Sequence, residues 1–144
     1  MPVIDASVYI ALTNAREKEH ASSWAWFEGA RLAQESLAAP SILLAEVAAA
    51  LSRGVGDPAL ARRVVRDLRE SGLIELVPVT LSTAELAAIL AADHRIRGCD
   101  AVYVALAQQR NAALITLDGQ QRERVPPHVL ACTPAEALRR LGGG

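Results

Sequence analysis

Apolar and polar positions alternate between two regimes along the chain: short apolar runs a few residues long, and longer stretches with helical spacing. Residues 2–6 form an apolar run interrupted by Asp5 and read as a buried strand with the acid at its C-terminal end; Asp5 or Ser7 can cap a short helix through about Thr13. Residues 20–31 have helical spacing that puts Trp24 and Phe27 on one face, at i and i+3, and turns Trp26 elsewhere. Trp24 and Phe27 are therefore expected in the core, and Trp26 is the candidate for a partner groove. Residues 37–39 are a weak strand closed by Pro40. Ser41 is the expected N-cap of a helix through about Arg53, stopped by Gly54.

Asp57-Pro58 opens a helix to about Ser71, with a capping acid, Pro at the first helical position, and Gly72 as its stop. Residues 73–79 are rich in branched side chains and read as a strand. Ser82-Thr83-Ala84-Glu85 has the form of a capping box before a helix to about Arg95, and Asp100 begins another, 101–110. Residues 113–117 are an apolar strand ending at the turn signal Asp118-Gly119, and 129–131 a last short strand. Thr133-Pro134-Ala135-Glu136 is a second capping-box sequence before a final helix, leaving residues 142–144 as a glycine tail. Strands alternating with helices imply one α/β domain, residues 1–141, with a parallel sheet and helices on both faces.

Composition narrows the class. The 144 residues are 51% hydrophobic and 22% charged, a globular balance, and only 3% aromatic, so small and aliphatic side chains supply the core. No apolar run reaches the roughly 18 residues of a membrane span, and no basic-then-apolar leader opens the chain, so a cytoplasmic protein with no membrane association is expected. Cys99 and Cys132 make neither a disulfide framework nor a zinc spacing, and His20, His94 and His128 show no zinc spacing either. A net charge of -1 argues against a sequence-independent nucleic-acid coat. Of the 15 basic residues, however, only Lys18 is a lysine; the other 14 are arginines, the residue type that binds phosphate with a planar fork.

Four acids stand among apolar neighbours: Asp5, Glu46, Asp100 and Asp118. Each has an ordinary explanation alone: a helix cap for Asp5, a solvated face with Arg53 as partner for Glu46, a favourable helix dipole for Asp100, a turn for Asp118. Taken together they suggest one site. Asp5 and Asp118 follow strands, and open α/β sheets bind ligands beyond the carboxyl ends of their strands. Glu46 and Asp100 sit on helix faces whose neighbours are mostly apolar. Gathered carboxylates repel by roughly 3 kcal/mol per pair at ~5 Å and an effective dielectric near 20, which a divalent cation reverses. All-oxygen donors favour Mg²⁺ or Mn²⁺ over zinc, and such an ion suits hydrolysis of a phosphodiester. Arg95, Arg97, Arg122 and Arg124 flank Asp100 and Asp118 and are candidates for holding an RNA backbone; Arg62, Arg66 and Arg69 make a second basic helix face.

The segments Val3-Ile4-Asp5-Ala6-Ser7, the helical Glu46, Cys99-Asp100-Ala101-Val102-Tyr103-Val104-Ala105-Leu106-Ala107 and Leu114-Ile115-Thr116-Leu117-Asp118 resemble the PIN-domain ribonucleases, and within them the VapC-like toxins of toxin–antitoxin pairs. The resemblance runs from Pro2 to about Leu141. It implies a three-layer fold with a parallel sheet of order 3-2-1-4-5. It implies Mg²⁺ or Mn²⁺ ligation by Asp5, Glu46, Asp100 and Asp118, supported by hydrogen bonds from Ser7 and Thr116. It further implies endonucleolytic cleavage of structured RNA such as tRNA or ribosomal RNA, a cognate antitoxin, and a homodimer.

Other acid-at-strand-end families fit less well. A haloacid-dehalogenase-like phosphatase needs a second Asp where Ser7 stands, a receiver module needs a late lysine, and a dinucleotide-binding domain needs a glycine-rich first turn in place of Ala6-Ser7-Val8. The principal alternative is a PIN-fold protein that binds RNA or a partner and cleaves little.

Overall fold

The computed structural model describes residues 1–143. Its elements are β1 (Val3–Ile4), α1 (Ala6–Thr13), α2 (His20–Leu32), β2 (Leu37–Pro40), α3 (Leu43–Gly54), α4 (Pro58–Ser71), β3 (Ile74–Val77), α5 (Leu81–His94), α6 (Gly98–Gln109), β4 (Leu114–Ile115), α7 (Gly119–Arg124), β5 (Ala131–Cys132) and α8 (Pro134–Gly142). The five strands form a single sheet, all pairs parallel, in the order β3-β2-β1-β4-β5. The chain walks outward from β1 through β2 to β3, then returns across both to β4. Right-handed crossovers therefore put α1–α4 and the α5–α6 pair on opposite faces.

Burial on both faces explains why the strands read as unbroken apolar runs rather than alternating ones. Val3, Ile4, Ala38, Ala39 and Leu114 are fully covered, and α6 contributes Ala101, Tyr103, Val104, Ala105 and Ala107 to the same core. The small residues of α6 let it lie close to β1, β2 and β4, which it contacts directly.

Most boundaries fall within a residue or two of expectation, and the departures have local causes. α3 is capped at Ile42 with no side-chain bond, and the expected cap Ser41 lies one residue earlier, its N–H donating to the Val77 carbonyl at 2.8 Å as β2 ends. α5 is capped two residues early by Thr80, whose hydroxyl accepts from the Thr83 N–H, so Ser82 lies inside the helix. α6 begins at Gly98 and holds Asp100 in its first turn. The expected capping boxes reduce to one, at Thr133 and Glu136, where both reciprocal bonds form. α7 is an unexpected helix. The last strand is Ala131–Cys132 rather than 129–131, and Gly142 closes α8; Gly144 of the expected tail lies outside the described residues. No helix among the described residues is long and apolar enough to cross a membrane.

The tryptophans are the main correction. Trp26 is 1% exposed and belongs to the core, whereas Trp24 is 46% exposed. Trp24 does sit against Phe27 (centroids 5.9 Å apart) and stacks on His20, as its spacing requires. The buried stripe of α2, however, is Ser23, Trp26, Phe27 and Ala30.

Candidate active site

The strand order places β1 beside β4, so the chain segments leaving them run side by side at the carboxyl edge of the sheet. Asp5 ends β1 and is the N-cap of α1: its Oδ1 accepts from the Val8 N–H at 3.3 Å and from the Ser7 hydroxyl at 2.5 Å. Its Oδ2 accepts from the Thr116 hydroxyl on the segment that follows β4. Ser7 in turn accepts from the Leu117 N–H at 3.0 Å, and Thr116 from the Asp118 N–H at 3.0 Å. Ser7 and Thr116 thus bond Asp5 and stitch the two strand ends together.

Gln121, buried in α7, completes the stitching. Its Oε1 is 2.9 Å from the Thr116 hydroxyl and its Nε2 donates to the Asp100 carbonyl at 3.2 Å, which ties the start of α6 to the end of β4. Thr116 has one hydroxyl proton and two acceptors in range, Asp5 and Gln121. When Gln121 takes it, the short contact to Asp5 needs the proton on Asp5. Burial pushes in that direction: desolvation raises the Asp5 pKa to about 6, against the lowering effect of the Ser7, Thr116 and Val8 bonds, and the Asp100 charge adds to the rise.

Glu46, in the first turn of α3, and Asp100 line the same cavity as Asp5 and Asp118, together with Ser7, Arg53, Arg97 and Tyr103; its volume is about 460 Å³. All four acids predicted from the sequence therefore meet. Glu46 does not form the expected partnership with Arg53, whose Nε donates to the Ala49 carbonyl at 3.4 Å; one Glu46 oxygen, Oε1, is buried with no hydrogen-bond partner.

The positive charge opposite the acids comes from Arg97. Its Nε is 2.9 Å from Asp100 Oδ2 and its Nη2 is 3.4 Å from Asp118 Oδ2. Its pKa rises above the ordinary value chiefly through Asp100, with smaller contributions from Asp118 and Glu46, so three acids face one guanidinium. Arg97 is exposed, and the bridge spans the mouth of the cavity rather than its floor. Among the described residues, no three Asp, Glu, His or Cys side chains are drawn together into a formed metal cluster. The acids share a cavity and not yet a cage, with Arg97 in the gap between two of them.

The other predicted phosphate-holding arginines point differently. Arg122 donates to the Thr116 carbonyl at 3.2 Å and Arg124 to the Arg95 carbonyl at 2.8 Å, while Arg95 itself is exposed at the left-handed end of α5 (φ 56°). Of the four, only Arg97 lines the acid cavity; Arg124 borders a smaller cleft beside Asp118. Arg53, Tyr103 and Gln121 are members of the site that the sequence reading missed. Gln121 had a signal: Asp118 followed three residues later by Gln is a helix-start pattern, and Asp118 Oδ1 does accept from the Gln121 N–H at 3.2 Å.

Thr116→Val keeps the shape and removes the shared hydroxyl. A loss of about 1–3 kcal/mol in unfolding free energy at pH 7.5 is expected, because the Asp118 N–H, Asp5 and Gln121 each lose a partner. Thr116→Ser should restore most of it, and urea titrations in which Val and Ser variants unfold alike would show that the hydroxyl carries nothing.

Comparison with known proteins agrees with this fold. No curated protein sequence matches the chain. Among solved structures, VapC20 of Mycobacterium tuberculosis, described as a sarcin–ricin loop cleaving toxin, superposes with a TM-score of 0.71 at 18% identity, covering 85% of this chain and 94% of its own. VapBC2 from Rickettsia felis, solved on a promoter DNA fragment, gives 0.69 at 15% identity (92% and 97% covered), and FitAcB from Neisseria gonorrhoeae 0.68 at 20% (93% and 98%). At these identities the likeness establishes the fold. The family model for the PIN domain matches residues 3–125, a span that contains every strand but the last and all four acids, and the chain belongs to the PIN-domain family.

Proposed function

We propose that the protein is a divalent-metal-dependent endoribonuclease, the toxin of a toxin–antitoxin pair, that cleaves structured RNA such as tRNA or ribosomal RNA. The observation that carries this reading is the convergence of Asp5, Glu46, Asp100 and Asp118 on one cavity, with a buried Glu46 oxygen left unpartnered. An acid cluster whose ion pairs, among the described residues, are both to the exposed Arg97 fits a hard cation inside it, and its all-oxygen donors fit Mg²⁺ or Mn²⁺. When bound, the ion supplies charge stabilisation at phosphoryl oxygens and an acidified water for in-line attack.

The chain's own residues have separate tasks. Asp5, held on one oxygen by Ser7 and Val8 and on the other by Thr116, offers a fixed carboxylate at the sheet edge. Glu46 offers its carboxylate from the α3 side, and Asp100 and Asp118 theirs from α6 and the end of β4. Arg97, exposed at the mouth, is placed to exchange its contacts with Asp100 and Asp118 for a substrate phosphate once a cation neutralises the acids. Arg95, Arg122 and Arg124 flank the same edge and extend the surface for the RNA backbone.

The toxin reading is supported by similar structures described as a sarcin–ricin loop cleaving toxin (VapC20) and as a toxin–antitoxin complex from Klebsiella pneumoniae, the latter superposing at a TM-score of 0.65. The same reading carries a cognate antitoxin as partner, a homodimer, a single domain over residues 1–141, and action in the cytoplasm.

The test is incubation of purified protein with total cellular RNA in Mg²⁺, in Mn²⁺ and in EDTA. Discrete fragments that need metal and vanish in EDTA are expected. RNA left intact in every condition, but retained by the protein in a filter-binding assay, would favour a PIN-fold RNA-binding protein instead.

A further inference from the structure

Tyr103 is the fully buried polar group in the acid cavity that the reading above leaves without a task. It follows Asp100 by three residues on α6, so both side chains leave the same helix face, and both line the cavity. The residue is 0% exposed, yet its hydroxyl has no hydrogen-bond partner. A buried, unpartnered hydroxyl destabilises the fold that encloses it, and the packing of α6 does not require it. The rest of this face is Val104 and Ala107, against which a phenylalanine would pack equally well.

Glu46 Oε1, lining the same cavity from α3, is buried and unpartnered as well. The two groups are chemical complements: a phenol has one O–H to donate, and an ionised carboxylate only accepts. They are also close enough to feel one another. The Tyr103 pKa is raised first by burial and next by Glu46, with Asp5 and Asp100 adding to it. The hydroxyl therefore has acceptors as its polar neighbours in the cavity, Glu46 first among them.

We propose that Tyr103 is a positioning residue of this site: its hydroxyl donates to the Glu46 carboxylate and fixes which Glu46 oxygen is left free to face a cation. The proposal rests on the reading that the four acids hold a divalent ion. One hydrogen bond then selects a Glu46 rotamer before metal arrives, which reduces the ordering that binding must impose. Outer-sphere partners of this kind change metal affinity by about 10–100-fold.

The experiment is Mn²⁺ titration of the wild type, Tyr103→Phe, Glu46→Gln and the double variant, read by the electron paramagnetic resonance signal of free Mn²⁺ and by calorimetry. Tyr103→Phe should bind Mn²⁺ about tenfold or more weakly, while its metal-free melting temperature is unchanged or slightly lower, since the variant keeps the ring packing and loses only the hydrogen bond that orders Glu46. The double variant should bind no more weakly than Glu46→Gln alone, because both changes break one contact. Wild-type affinity in Tyr103→Phe, or losses that multiply in the double variant, would overturn the proposal. A wild type that takes up no Mn²⁺ at millimolar concentration would instead overturn the cation reading beneath it, so the two failures are distinguishable.

Discussion

Asp5→Asn is expected to lose cleavage by at least a hundredfold and, in the absence of metal, to become more stable than the wild type at neutral pH. The loss of activity follows from position. Groups that merely orient a metal ligand are worth about 10–100-fold, and on the proposed reading Asp5 is the ligand that Ser7 and Thr116 orient. The gain in stability follows from burial. Desolvation lifts the Asp5 pKa from 3.8 to about 6, so ionising it in the folded state near pH 7 costs about 3 kcal/mol at 1.36 kcal/mol per unit. Asparagine cannot ionise, and it also resolves the local proton count. Its Nδ2 can donate to the Thr116 hydroxyl, which is then free to donate to Gln121, while its oxygen keeps the Ser7 and Val8 bonds.

The sign of the pH dependence is fixed by the direction of that shift. A carboxyl whose folded pKa is raised contributes stability that is fully present below the unfolded pKa and is lost as pH rises through the folded one. The stability difference between Asp5→Asn and the wild type, measured by urea unfolding in EDTA, should therefore open between about pH 4 and pH 7. At its upper end it should favour the variant by up to about 3 kcal/mol. Added Mn²⁺ should close the difference by stabilising only the wild type, since a ligand that binds the native state alone shifts unfolding by mass action. A difference that stays flat from pH 4 to 7.5 would mean that Asp5 is not held in the desolvated setting described for it, and the electrostatic account of the site would fail with it.

The parts of this site visible in the sequence are those whose signals are local. An apolar run that ends in Asp marks a strand edge whatever the rest of the chain does, and that is why Asp5 and Asp118 could be placed before the fold was known. Glu46 and Asp100 were legible because their i±3 and i±4 neighbours are apolar, which turns their faces inward. What stayed hidden depends on segments that meet only in three dimensions. Gln121 joins Asp100 to Thr116 from a six-residue helix, Gly119–Arg124, with no apolar periodicity to announce it. Arg97 looked like one of several basic residues near the edge. Its bridge between Asp100 and Asp118 requires the start of α6 to lie against the end of β4, which the strand order alone decides.

Trp26→Ala should destabilise the protein by about 3–5 kcal/mol, and Trp24→Ala by under about 1 kcal/mol, the reverse of what their spacing with Phe27 suggests. The spacing argument is sound as far as it goes, since residues three apart on a helix touch, and Trp24 and Phe27 do. It does not say which half of the helix faces the sheet. That is set by the stripe Ser23, Trp26, Phe27 and Ala30, whose i, i+3, i+4, i+7 pattern is masked in the sequence because one member is polar and another small. Trp26 is enclosed there and walls a cavity of about 260 Å³ with Ile115 of β4, Cys132 of β5 and Ala137 of α8. Removing the indole enlarges that space at the place where α2 and α8 pack together, with Gly29 lying so close to Leu138 that a Cβ would meet it at 3.0 Å. A seam that tight cannot collapse easily onto a lost indole, so the cost should fall at the upper end of the range for aromatic truncation. Equal losses for the two alanine variants in urea unfolding would show that α2 presents a different face to the sheet, and Trp26 would return as a candidate for contact with a partner.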